Sequence, residues 1–462
     1  MLRCKTVWSA CLLAIACLPA AAQDNAATWM GVPGARSERI TEPVFQGPLT
    51  IYRAGKAGAE PVVLVHGLGQ NGARDWARVV PVLAPNHEVI ALDLPGFGQS
   101  PGGNELYSPD NYVRVIEATI APRAGKPFTL VGHSMGAAVA LAYAAAHPQR
   151  VKRLVLVDMA GVLHGSVYAE SLAKFGIGQV GGSLPADAPW MEQLMRGVIG
   201  KLDKMPLDKQ TVLRNPALRQ QMLRGDPNLI AAFALGEHDF GAALRAVRAP
   251  TLLIWGSEDR VAPLRTGQLA AALIADSRLE VIPGAAHTPQ LEDPERFNTL
   301  LLEALAGARP ALKAPTRAAD LAGTAQKCDG RDGARFSGDI PKLTLIQCRN
   351  VQVSQARIGE LRVLESDVHL VNSEVRAGIF ALRSRVQLTA GRVVGATPDG
   401  PALRLEDTEV DAAGTSFETQ GPLAANDGKL PVTLRFSVAE FHGPRGVRYL
   451  HEVVRVAPES VW

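Results

Sequence analysis

The 462-residue chain carries little net charge, few cysteines and no long apolar run. Its formal charge of +3 falls to +1 when Arg3 and Lys5 are set aside, so the strong basic stripe that nucleic-acid binding needs is missing. The longest apolar stretch, Val7 to Leu18, runs about 12 residues, too short to cross a bilayer as a permanent helix. Of five cysteines, Cys4, Cys11 and Cys17 precede residue 23. That leaves Cys328 and Cys348, an even pair able to form one disulfide in an oxidising compartment, with two buried free thiols as the other reading. The final third of the chain has few aromatics and no cluster of metal ligands, so it offers neither a stacking platform nor a metal site. Disorder is excluded as well: 47% of residues are apolar and 20% charged, a globular composition. The length asks for two or three domains.

The N-terminus has the pattern of an export signal over residues 1–22. Arg3 and Lys5 make a basic start, the apolar run follows, and Ala20-Ala21-Ala22 is a small-residue cleavage site. A periplasmic or secreted protein is expected. The competing structural reading is a buried first helix. Cys17, after Leu13-Ala14-Ile15-Ala16, loosely resembles a lipoprotein cleavage site but has Ala14 where leucine is usual; lipid anchoring there is the second reading of the segment.

From about Arg39 to Leu305, short apolar runs alternate with helical patterns, which predicts an α/β domain over residues 23–308. Val62–Val65, Val89–Leu92, Phe128–Val131, Leu154–Val157, Thr251–Trp255 and Leu279–Ile282 read as strands, most of them apolar throughout, as strands buried on both faces are. Ser108–Ala121, Met135–His147, Leu264–Ile274 and Pro294–Leu305 read as helices, Pro294 suiting a first turn. The stretch from about 161 to 248 breaks the rhythm. It is helical in pattern and holds Met191, Met195, Met205 and Met222, and it is read as a cap over the carboxyl ends of the strands. Residues 309–326, rich in Ala, Pro and Arg, read as a linker.

Beyond the linker, residues 327–462 are all-β in texture. Val351-x-Val353, Val368-x-Leu370 and Val386-x-Leu388 recur at offsets of 17 and 18, as do Ile358, Val375 and Val393, with Gly359, Gly378 and Gly395 punctuating the turns. Short repeats of alternating apolar residues predict the coils of a β-solenoid; an irregular β-sandwich is the alternative.

The sharpest chemical signal is Gly132-His133-Ser134-Met135-Gly136 between a predicted strand and a small-residue helix. An abrupt strand-to-helix turn projects the serine oxygen above the sheet, and the glycines avoid collisions inside it. A serine hydroxyl needs a base within hydrogen-bond reach, itself oriented by a carboxylate. Asp259 lies in the loop after one apolar strand and His287 in the loop after the next, in the chain order serine, acid, histidine. Asp158, which also ends a strand, and Glu258 are the rival acids. The oxyanion formed in acyl transfer needs two backbone N–H groups, expected from Met135 and from Leu68 in His66-Gly67-Leu68-Gly69. His133 is expected to pack.

Taken with Pro61-Val62-Val63-Leu64-Val65-His66-Gly67, Asp93-Leu94-Pro95-Gly96-Phe97-Gly98-Gln99-Ser100, Leu253-Ile254-Trp255-Gly256-Ser257-Glu258-Asp259 and Gly284-Ala285-Ala286-His287-Thr288-Pro289-Gln290-Leu291-Glu292-Asp293-Pro294, the serine motif resembles the α/β-hydrolase superfamily in its capped branch, over about 250 residues. The resemblance implies a mainly parallel eight-stranded sheet, a helical cap, and neither metal nor organic cofactor. Relatives that open epoxides or remove halide carry aspartate where this chain has Ser134. The expected activity is hydrolysis of a small ester or acyl substrate through an acyl-enzyme. Cleavage of a carbon–carbon or amide bond by the same residues is the alternative, and a catalytically idle binding scaffold is the reading from another class. For the C-terminal domain, binding an envelope component, self-association and stabilisation of the enzyme all stay open.

Overall fold

The computed structural model describes residues 26–165, 208–307 and 323–462. The expected signal segment, Cys17, Met191, Met195, Met205 and most of the linker lie outside them.

Eight strands build the first sheet: β1 (Arg36–Thr41), β2 (Pro48–Gly55), β3 (Pro61–Val65), β4 (Glu88–Asp93), β5 (Phe128–His133), β6 (Val151–Val157), β7 (Thr251–Gly256) and β8 (Ser277–Ile282). Their order is β1-β2-β4-β3-β5-β6-β7-β8. β2 pairs antiparallel with β1 and β4, and every other pair is parallel. All six apolar runs read as strands are strands. β3, β4, β5 and β7 are buried at every residue, as a parallel sheet covered on both faces requires. Side chains alternate between two cores: Val63, Val65, Ile90, Leu92 and Leu130 face one, and Val62, Leu64, Val89, Ala91 and Val131 face the other.

The helices that matter for the site are α1 (Pro109–Val115), α2 (Met135–Ala146), α3 (Pro227–Gly236), α4 (Gly241–Ala246), α5 (Leu264–Leu273) and α6 (Pro294–Leu305). α2 is MGAAVALAYAAA and is buried along most of its length; its alanines let the axis approach the sheet closely. α6 shows the ordinary amphipathic design. The Asp293 carboxylate accepts from Arg296 N–H at 3.1 Å, Pro294 occupies the first turn, and Phe297, Leu300, Leu301 and Leu305 form the buried stripe. α3 and α4 belong to the described part of the expected cap region.

Residues 326–461 form a curled sheet whose strands stack largely in parallel. Val351, Val368, Val386, Val410 and Leu434 make one column. Ile358, Val375, Val393, Phe417 and Phe441 make another. The expected offsets of 17 and 18 hold for the first three members, and the step then lengthens to 24 because extra residues enter between Val393 and Leu403. The corners agree with the expectation in part. Gly378, at φ 67°, and Gly395 lie between strands, but Gly359 lies inside one, and Glu365, Arg383 and Asp407, and Asn372, Ala390 and Val438, also turn the chain, at φ of 44–54°. Hydroxyls that follow one set of corners form a ladder that ties successive turns: Cys348 N–H donates to Ser366, Ser366 N–H to Ser384, and Ser384 N–H to Thr408, at 2.9, 3.1 and 3.3 Å. Such bonds offset the cost of left-handed backbone at non-glycine residues. Cys328 and Cys348 are disulfide-bonded and buried.

The two regions share an apolar core: Ala413 and Val438 belong to the cluster that includes Leu244, Leu269 and Val247. At the centre of the contact, Arg265 of α5 pairs with Asp411, its second guanidinium nitrogen lying 3.2 Å from the other carboxylate oxygen. Tyr449 O–H donates to Asp239 at 2.6 Å, and Ser437 Oγ accepts from His164 N–H at 2.9 Å. Burial pushes the Asp411 carboxyl up, but the charge and hydrogen bonds of Arg265 outweigh it and hold the group below its ordinary value. Its contribution to stability is therefore complete above the usual carboxylate range and lost as pH falls through the depressed folded value. Replacing Arg265 by Leu strands a buried carboxylate and is expected to lower unfolding free energy by about 3 kcal/mol, with the difference shrinking in acid, as read from denaturant midpoints at several pH values.

Candidate active site

β5 ends at His133, and the chain reverses into α2 through Ser134, which holds φ 53° and ψ −118°. This backbone conformation is strained for a residue with a side chain, and it aims Oγ away from the sheet. Close approach on both sides makes the turn possible. A Cβ on Gly132 would lie 2.3 Å from Gly136 O, and one on Gly136 would lie 2.3 Å from His66 O and 2.4 Å from Val65 O.

His287 arrives from the loop after β8 and Asp259 from the loop after β7. His287 Nε2 is 2.9 Å from Ser134 Oγ, and His287 Nδ1 is 2.8 Å from Asp259 Oδ2. The other Asp259 oxygen accepts from the N–H groups of Val261 and Ala262 at 2.8 and 2.9 Å. With Nδ1 donating to the carboxylate, Nε2 is left to accept the serine proton, the tautomer general-base chemistry requires. Of the rival acids, Glu258 points to solvent. Asp158 is fully buried beside Asp259, with its Oδ1 accepting from Gly256 N–H at 2.9 Å.

Leu68 and Met135, named as oxyanion donors, are both buried next to the serine: a Cβ on the preceding Gly67 would sit 2.9 Å from Ser134 Cβ. Among the described residues, neither N–H has an acceptor. Buried N–H groups without partners are rare, and these two belong to the residue after Ser134 and the residue after Gly67, which packs on the serine. His66 holds the loop that carries Leu68. Its Nε2 accepts from Leu94 N–H at 2.9 Å, so the proton is on Nδ1, which donates to Gly67 O at 2.7 Å; burial keeps the ring neutral. Asn228 on α3 accepts from Gly69 N–H at 3.0 Å, bringing the cap region onto the same loop.

Sequence reasoning left three supports of the site unassigned, two of which hold His287. His133 does more than pack: its Nε2 donates to His287 O at 2.7 Å. Burial, then the neighbouring His287, pushes its ring down to about 3, so it stays a neutral donor through the ordinary pH range. Glu292 accepts from the N–H groups of Ala286 and Thr288 and from the Thr288 hydroxyl, bracketing His287 on both sides. Asp93 accepts from Ala73 N–H, Gln99 N–H and Tyr52 O–H at 2.7, 2.8 and 2.9 Å, fixing the loops after β3 and β4. The signal for Glu292 and Asp93 was their place in the motif blocks; the Glu292 partners lie four and six residues away, whereas Asp93 also reaches Ala73 and Tyr52, 20 and 41 residues off.

Comparison with known proteins decides the family. A family model described as alpha/beta hydrolase fold matches residues 60–294. The chain belongs to the α/β-hydrolase family. It is 32% identical over 258 residues to a 2-hydroxy-6-oxononadienedioate/2-hydroxy-6-oxononatrienedioate hydrolase from Cupriavidus pinatubonensis, covering 54% of this chain and 88% of that one. A similarly named hydrolase from Pseudomonas putida matches at 32% over 257 residues, with the same shares covered. Among solved structures, a meta-cleavage product hydrolase from Pseudomonas fluorescens aligns with TM-score 0.42 and 24% identity, over 59% of this chain and 98% of that one. This α/β-hydrolase thus has hydrolases as relatives, and its serine, histidine and aspartate stand in one hydrogen-bonded row.

The packing at the turn carries a prediction. Gly136→Ala forces a methyl onto the carbonyls of Val65 and His66 and shifts Ser134. A displacement of about 1 Å is enough to cost about 100-fold in kcat, so hydrolysis should fall by that order in protein that still shows native circular dichroism.

Proposed function

We propose that the protein is an exported serine hydrolase that cleaves carboxylic ester-type bonds through an acyl-enzyme. The observation that carries this reading is the unbroken row Ser134 Oγ, His287 Nε2, His287 Nδ1, Asp259 Oδ2. Ser134 attacks the carbonyl as His287 takes its proton, and the N–H groups of Leu68 and Met135 receive the oxyanion. His287 returns the proton to the leaving alcohol. A water then enters, gives a proton to His287, and the acid product departs as Ser134 recovers its hydrogen. Asp259 keeps the imidazole oriented and balances its charge while it is protonated.

A second reading is hydrolysis of a carbon–carbon bond beside a ketone by the same residues. It draws on the relatives named for 2-hydroxy-6-oxo-dienedioate substrates. The idle scaffold is disfavoured by the serine held in strained backbone beside a base and two open N–H donors.

Export draws on the sequence of residues 1–22, and the buried Cys328–Cys348 bond accords with an oxidising compartment. For the C-terminal region we favour stabilisation of the enzyme, because it buries Arg265 and covers α4 and α5.

Two experiments test the proposal. A fluorophosphonate should label the purified protein but not Ser134→Ala, and p-nitrophenyl esters should be turned over, with Asp259→Asn lowering kcat by about 10⁴. Turnover of a 2-hydroxy-6-oxo-dienedioate in preference to all esters would move the second reading to the front, and a folded, unlabelled wild type would sink both. The mature chain is also expected in the periplasm or medium beginning at Gln23, by fractionation and mass spectrometry; a cytosolic chain retaining residues 1–22 contradicts export.

A further inference from the structure

Beside Asp259 stands a second carboxyl for which the acyl-transfer scheme has no use. Asp158 ends β6, fully buried, in left-handed backbone at φ 42°. One of its oxygens, one oxygen of Asp259 and a ring nitrogen of His287 lie within 4.8 Å of one another. The titratable groups that face it are Asp259 on the loop after β7, His287 on the loop after β8 and, farther off, Glu292.

Two carboxylates cannot both stay ionised in so small and dry a space, so one of them carries a proton. Hydrogen-bond donors decide which. Asp259 accepts three N–H bonds, from Val261, Ala262 and His287. Asp158 accepts one, from Gly256, and its Oδ2 has no donor. Each donated N–H favours the ionised form of the group that accepts it, so the charge settles on Asp259. A carboxyl with one bare oxygen, pressed against an ionised neighbour, is where the proton belongs. Burial first, and then the Asp259 charge, push Asp158 well above the usual carboxylate range, only partly opposed by the Gly256 N–H.

We propose that Asp158 is a positioning residue: it keeps its proton at rest and donates an O–H hydrogen bond to Asp259, so that the single negative charge of the pair is held where it orients His287. This rests on the hydrolase reading above and adds a fourth group to it. Asp158 touches neither substrate nor the serine; it acts through Asp259. The backbone strain at its φ is sustained by bonds on both sides, since its N–H donates to Ile254 O at 3.1 Å while its carboxyl takes the Gly256 N–H.

The test uses the full-length protein. Asp158→Asn retains a neutral group of the same shape, whose N–H can donate to Asp259 and whose oxygen can accept from Gly256. It should keep kcat/KM within about threefold, with the acid limb of the pH profile unmoved. Asp158→Ala removes the donor and should lower kcat about tenfold with KM little changed, the loss being rescued in the Asn variant. Infrared difference spectra at neutral pH should show a protonated-carboxyl band in wild type that is gone in Asp158→Asn, a readout that survives even if the Ala variant does not fold. An acid limb displaced by roughly one unit or more to lower pH in Asp158→Asn would mean that a negative charge had been removed. That result, a missing infrared band, or full activity in Asp158→Ala would each overturn the proposal. Fluorophosphonate labelling of wild-type Ser134 is scored separately: its absence is a failure of the hydrolase reading, whereas labelling with any of those three outcomes is a failure of this one.

Discussion

The candidate site depends on a close approach of backbones. β5 can turn into α2 through Ser134 only because nothing projects from Gly132 or Gly136 into the carbonyls of Val65, His66 and Gly136 lying little more than 2 Å from where a methyl would be. The same closeness brings the loop after β3 against the serine, with Gly67 packed on its Cβ and Leu68 the next residue along. Strain at Ser134 is tolerated because it is fixed on both sides: its N–H donates to Val157 O, and its carbonyl accepts from Ala137 at the start of α2. A tight turn on a parallel sheet thus serves as the reference point for the other reacting groups.

Those groups reach the serine on loops, and loops need holding. Here it is done mainly through main-chain groups. Glu292 collects the N–H groups on either side of His287, His133 takes its carbonyl, and Asp259 is fixed by the amides of Val261 and Ala262 before it meets the imidazole. Neutral histidines suit this work, since burial keeps His66 and His133 from charging and so preserves their donor and acceptor sides. The electrostatic economy of the site follows from the same geometry, with one carboxylate rich in donors and its buried neighbour poor in them.

The curled C-terminal sheet is tied into this arrangement away from the serine. It meets α5 through Arg265 and Asp411, and it meets the two ends of the cap region through His164 and Asp239. Packing and a buried ion pair act together there, and the ion pair makes the contact specific, because Arg265 without Asp411 would be a buried charge without a counterion.

The sequence by itself determined the sheet, the order of the reacting residues and the existence of the β repeat. Each of these is a matter of local pattern: fully apolar runs for buried strands, a glycine-flanked serine between strand and helix, alternating apolar pairs at offsets of 17 and 18. Chain order favoured Asp259 over Asp158, but both end strands, and the choice is settled by which one meets His287 and collects donors from neighbouring loops. The sequence could not assign Glu292, His133 or Asn228, whose partners are reached only after the loops close, or foresee the longer step after Val393, where added residues hide the register. The interface with the C-terminal sheet belongs to the same class, since Arg265 and Asp411 stand 146 residues apart. Short-range periodicity survives in a linear chain, while the pairing of polar groups is settled by which segments folding brings together in a space without water.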